Sequence, residues 1–582
     1  MKKQTLGVIL LIILAMLPAV RALAIPGFYT SHDGVTHTAR IANFSLALAE
    51  GQIPPRLAPK LFGGFGFPIF IFIYPLPYLL GSLIHAAGTP FTDSFEIVIG
   101  TSFLISALTM FFFIKELFGL WPAFISALFY TWAPYRLSQI YVRGAVAENF
   151  AYLFVPIVLL SLLRLSKKPE LKWTTVGSLS FAGMLLSHQL VSLMFLPVFA
   201  CFGLVFLFQS NDKKSYIRHA FFMTLLGLFT SAYIYVPALF ERSFLHFDEL
   251  MNYYSDHFVT LKQLMHSPWS YGFSMPGTLA DDMSFQIGLT HLLVVAVSAI
   301  VFAWLFVKNK KKIWKDASNR IGLVSLVIFT ISVILMLDYP VVRAIWKYTP
   351  ALSMLDFPWR LLGVSVFASS MLVAYLTRVL KNKLIFFVFL FFVFFANRNH
   401  LRINQTFLLD DAYFLTYDQT ATWRNEFLPI WRITNKLQNL ERVVRVRKGD
   451  VLIESSQVKT LKLMLRTQSE VGGKIVIPRL YFPGWTVRID GQLQKLNESF
   501  KITNNVDIQP ESRPNVDDSG LIEVSVPKGR HEIEVIFSET PIRKLGFIFS
   551  IAGVVTTLGL ILEGRIRAIV QAPKTMRRRR GT

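Results

Sequence analysis

The chain has 582 residues, of which 53% are hydrophobic and only 16% charged, a composition that places it among polytopic membrane proteins. Its formal charge of +23 sits in short clusters between apolar runs ("RLSKKPELK", "NDKKSYIR", "KNKKKIWK", "RVLKNK" and a terminal "RRRR"). No basic face alternates with aromatics along a soluble module, which argues against a nucleic-acid partner and leaves anionic lipid headgroups as the counter-charge. Cys201 is the one cysteine, so no intramolecular disulfide can form and any domain outside the membrane must be stable through its own core.

The N-terminus, "MKKQTLGVILLIILAMLPAVRALA", contains an "ALA" that resembles a cleavage site, but the run reads as a retained first helix. Alternating every apolar segment across the membrane would put most basic clusters outside. Removing residues 67–88 ("FPIFIFIYPLPYLLGSLIHAAG") from the crossings places them all inside with "MKK". Pro68, Pro75 and Pro77 interrupt a straight helix there, so the segment is expected to be re-entrant or interfacial.

About twelve spans remain, near 5–25, 95–114, 120–137, 149–165, 173–190, 191–209, 218–238, 286–306, 320–337, 359–377, 383–396 and 545–562. Both termini are then cytoplasmic in a cell membrane. Residues 26–94, 138–148, 239–285, 338–358 and 397–544 fall on the outer face. Period-two alternation in "RVVRVRKGDVLIESSQVKTLKLMLR", "GKIVIPRLYFPGWTVRIDG" and "LIEVSVPKGRHEIEVIF" predicts a β-sandwich-like domain within 397–544. The expected organisation is a helical membrane domain over 1–396 with an outer loop at 26–94, an external β-rich domain over 397–544, and a final helix with a basic tail over 545–582.

The outer loops hold the chemistry. "YTSHDGVTHTAR" carries His32, Asp33, His37 and Arg40, and "GVTHTARIANFSLALAEG", read as a short helix, puts His37 and Arg40 on one face a turn after Asp33. "APYRLSQIYVRGAVAENF" supplies Tyr135, Arg136, Arg143 and Glu148. "MLDFPWRLLG" supplies Asp356, Trp359 and Arg360, and His188 in "LLSHQLVS" lies at the outer end of a span. An acid at a membrane edge is costly without a polar cavity or partner, which makes it a functional candidate. A carboxylate can act as base toward a hydroxyl, and arginines suit bidentate phosphate binding. Plainer readings stand beside these: Arg136 and Arg143 as interfacial anchors, "PWR" as an aromatic belt with a snorkelling arginine, His188 as a satisfied hydrogen-bonding group. The scattered histidines and acids leave a metal site open and a divalent cation possible.

"DGVTHTARIANFSLALAEGQIPPRLAPKLFGGFGFPIF", "APYRLSQIYVRGAVAE", "DFPWRLLG" and the late "YFPGWTVRIDGQ…VPKGRHEIEVIF…RKLGFIFSIAG" resemble the bacterial YfhO-like family. That group includes membrane proteins labelled 6-pyruvoyl-tetrahydropterin synthase-related, within the glycosyltransferase type C superfamily. The pterin label carries no chemistry here, because a soluble pterin synthase needs a zinc-binding histidine cluster in a small α/β domain. The resemblance implies transfer of a sugar from a polyprenyl-phosphate-linked donor to a hydroxyl of a cell-envelope glycan or polymer on the extracytoplasmic face. It implies Asp33 as the base and Glu148 as the second acid, orienting the acceptor or a cation. Arg136, Arg143 and Arg360 would neutralise the leaving phosphate, with His37 and Arg40 at the pocket floor. Leu57 stands where the family often has an aromatic after "PPR", which removes one stacking surface.

Two other classes remain in view: a transporter or flippase of lipid-linked saccharides, and a non-catalytic envelope scaffold. Transporters place ionisable groups near the membrane midplane, often in broken repeated helices. Here the spans are almost free of charge and the acids gather on one face, which favours the enzyme.

Overall fold

The computed structural model describes residues 3–246, 253–277, 281–422, 425–431, 442–494 and 520–578. Ten helices among these residues are long and apolar enough to cross a membrane. They are Lys3–Ala24, Phe91–Phe118, Val146–Lys167, Gln189–Gln209, Lys213–Phe244, Leu289–Lys308, Ala317–Ile334, Pro358–Leu380, Lys383–His400 and Pro541–Glu563.

The two other expected spans, 120–137 and 173–190, hold shorter helices, Leu120–Thr131 and Leu171–Leu185. The first has 12 residues, a rise of about 18 Å against a ~30 Å hydrocarbon core. It stops because Ala133 is extended ahead of Pro134, which opens a separate helix, Pro134–Tyr141. The second stops before an extended His188, which caps Gln189–Gln209. Both interruptions lie where the candidate site is built.

Residues 67–88 behave as their prolines predict. Pro68–Ile71 is a 3-10 turn and Leu76–Ala86 an 11-residue helix, too short to cross.

The connections gather at two ends. At one, Glu116 takes Lys167 and Arg164, each at 2.6 Å. At the other, β1 (Phe28–Tyr29) pairs antiparallel with β2 (Thr406–Phe407), strapping the residues after Lys383–His400 onto the first loop.

Beyond that strap lie β3 (Arg445–Gly449), β4 (Leu452–Val458), β5 (Lys462–Ser469), β6 (Gly473–Leu480), β7 (Trp485–Ile489), β8 (Gln492–Gln494), β9 (Leu521–Val526) and β10 (Gly529–Phe537). They form two antiparallel sheets, ordered β4-β5-β10-β7-β8 and β3-β6-β9. Alternate residues turn inward: Leu463 and Leu465, Val487 and Ile489, Ile533 and Val535 from one sheet, Ile475 and Ile477, Ile522 and Val524 from the other. They share one core that extends to Leu57, Ile71 and Phe72 of the first long loop. A buried pair fixes the last helix to this assembly: the Arg543 guanidinium donates to Glu241 at 2.9 Å and to the Pro483 carbonyl at 2.7 Å.

Candidate functional site

Pro134 sets the first side chains. The helix it starts puts Tyr135 and Gln139 four apart on one face, and Ala145 then turns the chain so that Glu148 points back at them. On one Glu148 oxygen the Tyr135 hydroxyl donates at 2.6 Å and the Gln139 amide at 2.8 Å. On the other, Arg143 and Arg360 each donate at 2.8 Å. The carboxylate is 1% exposed and its lone pairs are taken. Burial alone would lower the Arg143 pKa, but the carboxylate charges of Glu148 and Asp33 outweigh it and hold the guanidinium above its ordinary value.

Asp33 is joined to this centre through backbone. Its N–H donates to the Arg143 carbonyl at 2.8 Å, and the His32 N–H donates to Val142 at 3.0 Å. So close an approach needs Gly144: a Cβ there would lie 2.5 Å from Ser31 Oγ and 3.0 Å from the Gly34 nitrogen, and its φ is +62°. Asp33 stands at the start of helix Gly34–Ala49 without capping it. Its half-buried carboxylate makes no hydrogen bond or ion pair with any described residue.

His37 and Arg40 share a helix face as their spacing predicts, and both reach the Tyr78 hydroxyl, at 2.9 and 3.1 Å. Arg40 also donates to the Ala421 carbonyl. Burial, reinforced by Arg40, pushes the His37 pKa well below its ordinary value, so the ring is neutral. His188 accepts the Val191 N–H on Nδ1 at 3.2 Å and lies against Tyr74, ring centres 5.1 Å apart. Burial lowers its pKa to about 3. His32 donates from Nε2 to the Tyr271 carbonyl at 3.2 Å and stacks on Phe273.

The turn Pro358–Leu361 brings Trp359 and Arg360 to Arg143 and Glu148. The Trp359 ring lies 4.9 Å beneath the Arg143 guanidinium, and its indole N–H donates to Ser274 at 3.1 Å. Asp356 lies 3.5 Å from Arg360, is closely surrounded by protein, and yet keeps 27% of its side-chain surface accessible. Burial raises its pKa, with Arg360 opposing.

Arg136 stands apart from the other candidates. It is fully buried, donates to Gln139 at 2.7 Å and Ser106 at 3.2 Å, and sits 4.2 Å over the Tyr152 ring. It supports Gln139 from behind and offers no surface to a phosphate. The structure thus brings Asp33, His37, Arg40, Tyr135, Arg143, Glu148, His188, Trp359 and Arg360 into one region. Sequence reasoning passed over Gln139 and Tyr78. The signals for them were a glutamine one helical turn after Tyr135 and a tyrosine inside the proline-broken "PLPYLLG". Among the described residues no group of three or more His, Cys, Asp or Glu side chains is placed to hold a metal ion.

Set together, the region offers two arginines anchored on one saturated acid, a second acid with no donor among the described residues, and neutral imidazoles beside them. That combination can hold an oxyanion and remove a proton next to it.

Comparison with known proteins agrees on the membrane region. An uncharacterized protein of Lactococcus lactis subsp. cremoris (strain MG1363) is 24% identical over 220 residues, 36% of this chain and 34% of the relative. The chain thus aligns with about a third of that relative's length. Residues 70–403, more than half of the chain, match the family described as 6-pyruvoyl-tetrahydropterin synthase related domain; membrane protein. The match takes in Tyr135, Arg143, Glu148, His188 and Arg360 and begins after Asp33. The chain belongs to this 6-pyruvoyl-tetrahydropterin synthase-related, YfhO-like family of membrane proteins.

Proposed function

We propose that the protein is an integral-membrane glycosyltransferase that moves a sugar from a polyprenyl-phosphate-linked donor to an acceptor hydroxyl on the extracytoplasmic face. The observation that carries this reading is the Asp33 carboxylate, half-buried and without a donor among the described residues, clamped by backbone to the arginine that Glu148 holds. Asp33 takes the acceptor hydroxyl proton as that oxygen bonds to the anomeric carbon. The bond from that carbon to the phosphate oxygen breaks, and its electron pair leaves with the lipid phosphate. Arg143 and Arg360 offset the charge that develops there, in a setting where fixed donors act more strongly than in water. Glu148 is a positioning residue, since its oxygens are already occupied. The cytoplasmic placement of the basic clusters, including both termini, follows from their charge and puts the site on the other side of the cell membrane.

The test is sugar transfer by purified protein in lipid nanodiscs, from polyprenyl-phosphate sugars to envelope polymers, with Asp33→Asn alongside. Transfer by the wild type and its collapse in Asp33→Asn is the expected pair of results. Full activity in the variant would remove Asp33 as base. No transfer by the wild type with any donor would turn the reading toward translocation of lipid-linked saccharides.

A further inference from the structure

Between the spans Ala317–Ile334 and Pro358–Leu380 lies the nine-residue helix Pro340–Tyr348. One side is pinned to protein. Trp346 is buried, its indole N–H donates to the Leu335 carbonyl at the end of the preceding span at 2.9 Å, and it stacks on Tyr254 with centroids 5.2 Å apart. Val342, one turn earlier, is buried with it. The opposite side is apolar and bare: Val341 is 66%, Ile345 41% and Tyr348 78% exposed, with Ala344 between them. These four positions cover an arc of about 100° on one helix face. The third side is basic. Arg343 is braced by Asp338 at 2.6 Å and the Ser255 carbonyl at 2.7 Å, and Lys347 is exposed.

One occupant fits this pattern. Val327, Ile331 and Ile334 are exposed on one face of the preceding apolar span, as a lipid-facing surface would be, and the chain reaches the helix through an exposed Tyr339. The bare face therefore continues a lipid-facing surface, and the cations beside it match anionic headgroups. We infer that Pro340–Tyr348 is a membrane-surface helix, seated at the headgroup–acyl boundary of the bilayer that the protein spans. Val341, Ala344, Ile345 and Tyr348 enter the acyl edge, and Lys347 stays among the headgroups. From this seat the chain runs directly to Asp356 and Arg360, so the helix sets those side chains near the depth of lipid phosphates. The inference is independent of the reaction proposed above.

The experiment uses the full-length protein with Cys201→Ala and a polarity-sensitive nitrobenzoxadiazole probe on Ile345→Cys or, separately, Tyr348→Cys. Lys448→Cys, on the exposed β3, is the aqueous control. The protein is reconstituted in phosphatidylcholine–phosphatidylglycerol vesicles carrying nitroxide lipids, labelled either near the headgroup or deep in the chain. Shallow nitroxides are expected to reduce emission about twofold at both helix positions, deep nitroxides less, and neither to affect the control. Helix probes quenched no more than the control would overturn the proposal. So would emission that responds to protein density instead of nitroxide, because that places a second copy on the face.

Discussion

Glu148 and Asp33 are both carboxylates at the same end of the bundle, and they live in opposite states. Glu148 is buried with four donors on its two oxygens. Asp33 is half-buried with none among the described residues, although its backbone is hydrogen-bonded to the residue that clamps Glu148. A saturated acid organises its neighbours and has no lone pair to spare, whereas an open acid contributes little to the fold and is available to a substrate. In a motif search the two look alike. Their difference is a division of labour between a site's frame and its working group.

Substituting each acid should separate these roles. Asp33→Asn is expected to lower transfer by roughly 10²–10⁴-fold, the usual contribution of a general base, with little change in thermal unfolding. A large drop in unfolding temperature would show that Asp33 belongs to the frame. Glu148→Gln should act the other way round, leaving Arg143 buried without its paired carboxylate and Arg360 with Asp356 alone, at a cost of about 3–5 kcal/mol, read by thermal or denaturant unfolding in detergent. A Glu148→Gln protein with wild-type stability would sink the distinction.

The junction between the two acids is the next point to break. Gly144→Ala puts a side chain into a left-handed backbone position at a cost of about 1–2 kcal/mol, and it also presses on Ser31 and Gly34. The expected outcome is a loss of kcat larger than the loss of stability accounts for, because Asp33 shifts relative to Arg143. Equal losses would make the junction merely structural.

The smallest effect concerns acid. His37 and His188 are neutral in the fold, with pKa values depressed by burial, His188 to about 3. The unfolded chain therefore binds more protons than the native one below the ordinary histidine range, and stability falls as pH drops from about 6.5 toward the folded values. His188→Asn keeps a side-chain acceptor for the Val191 N–H and removes one titrating ring. Its unfolding temperature should decline less steeply as pH falls from about 6.5 to about 3, the interval between the unfolded and folded values of that ring. An unchanged slope would show that His188 does not contribute.

Arg136 and Arg143 show how far the sequence could be read. Both are arginines in one short motif, and both suit a phosphate. Arg143 follows the end of helix Pro134–Tyr141 and turns to Glu148 and Trp359. Arg136 lies within that helix and points at Tyr152, Tyr130 and Phe103, which come from other elements. Helical periodicity assigns residues to faces, but it cannot say what each face meets. The same limit explains the two short helices. Hydropathy counted them as spans, whereas the extended residues Ala133 and His188 end them early, beside the site.

The sequence by itself determined the class of protein, because long apolar runs leave a chain no option but to pair its backbone groups inside helices within lipid. It also determined where charge collects, the proline-broken segment after the first loop, the alternating strands and the short list of ionisable side chains. Tertiary structure decided which of those side chains meet and in what state. The hydrogen bonds that fill Glu148 come from residues as far away as Arg360, and those that join Asp33 to Arg143 run through backbone. Neither kind of contact leaves a mark in residue type or spacing.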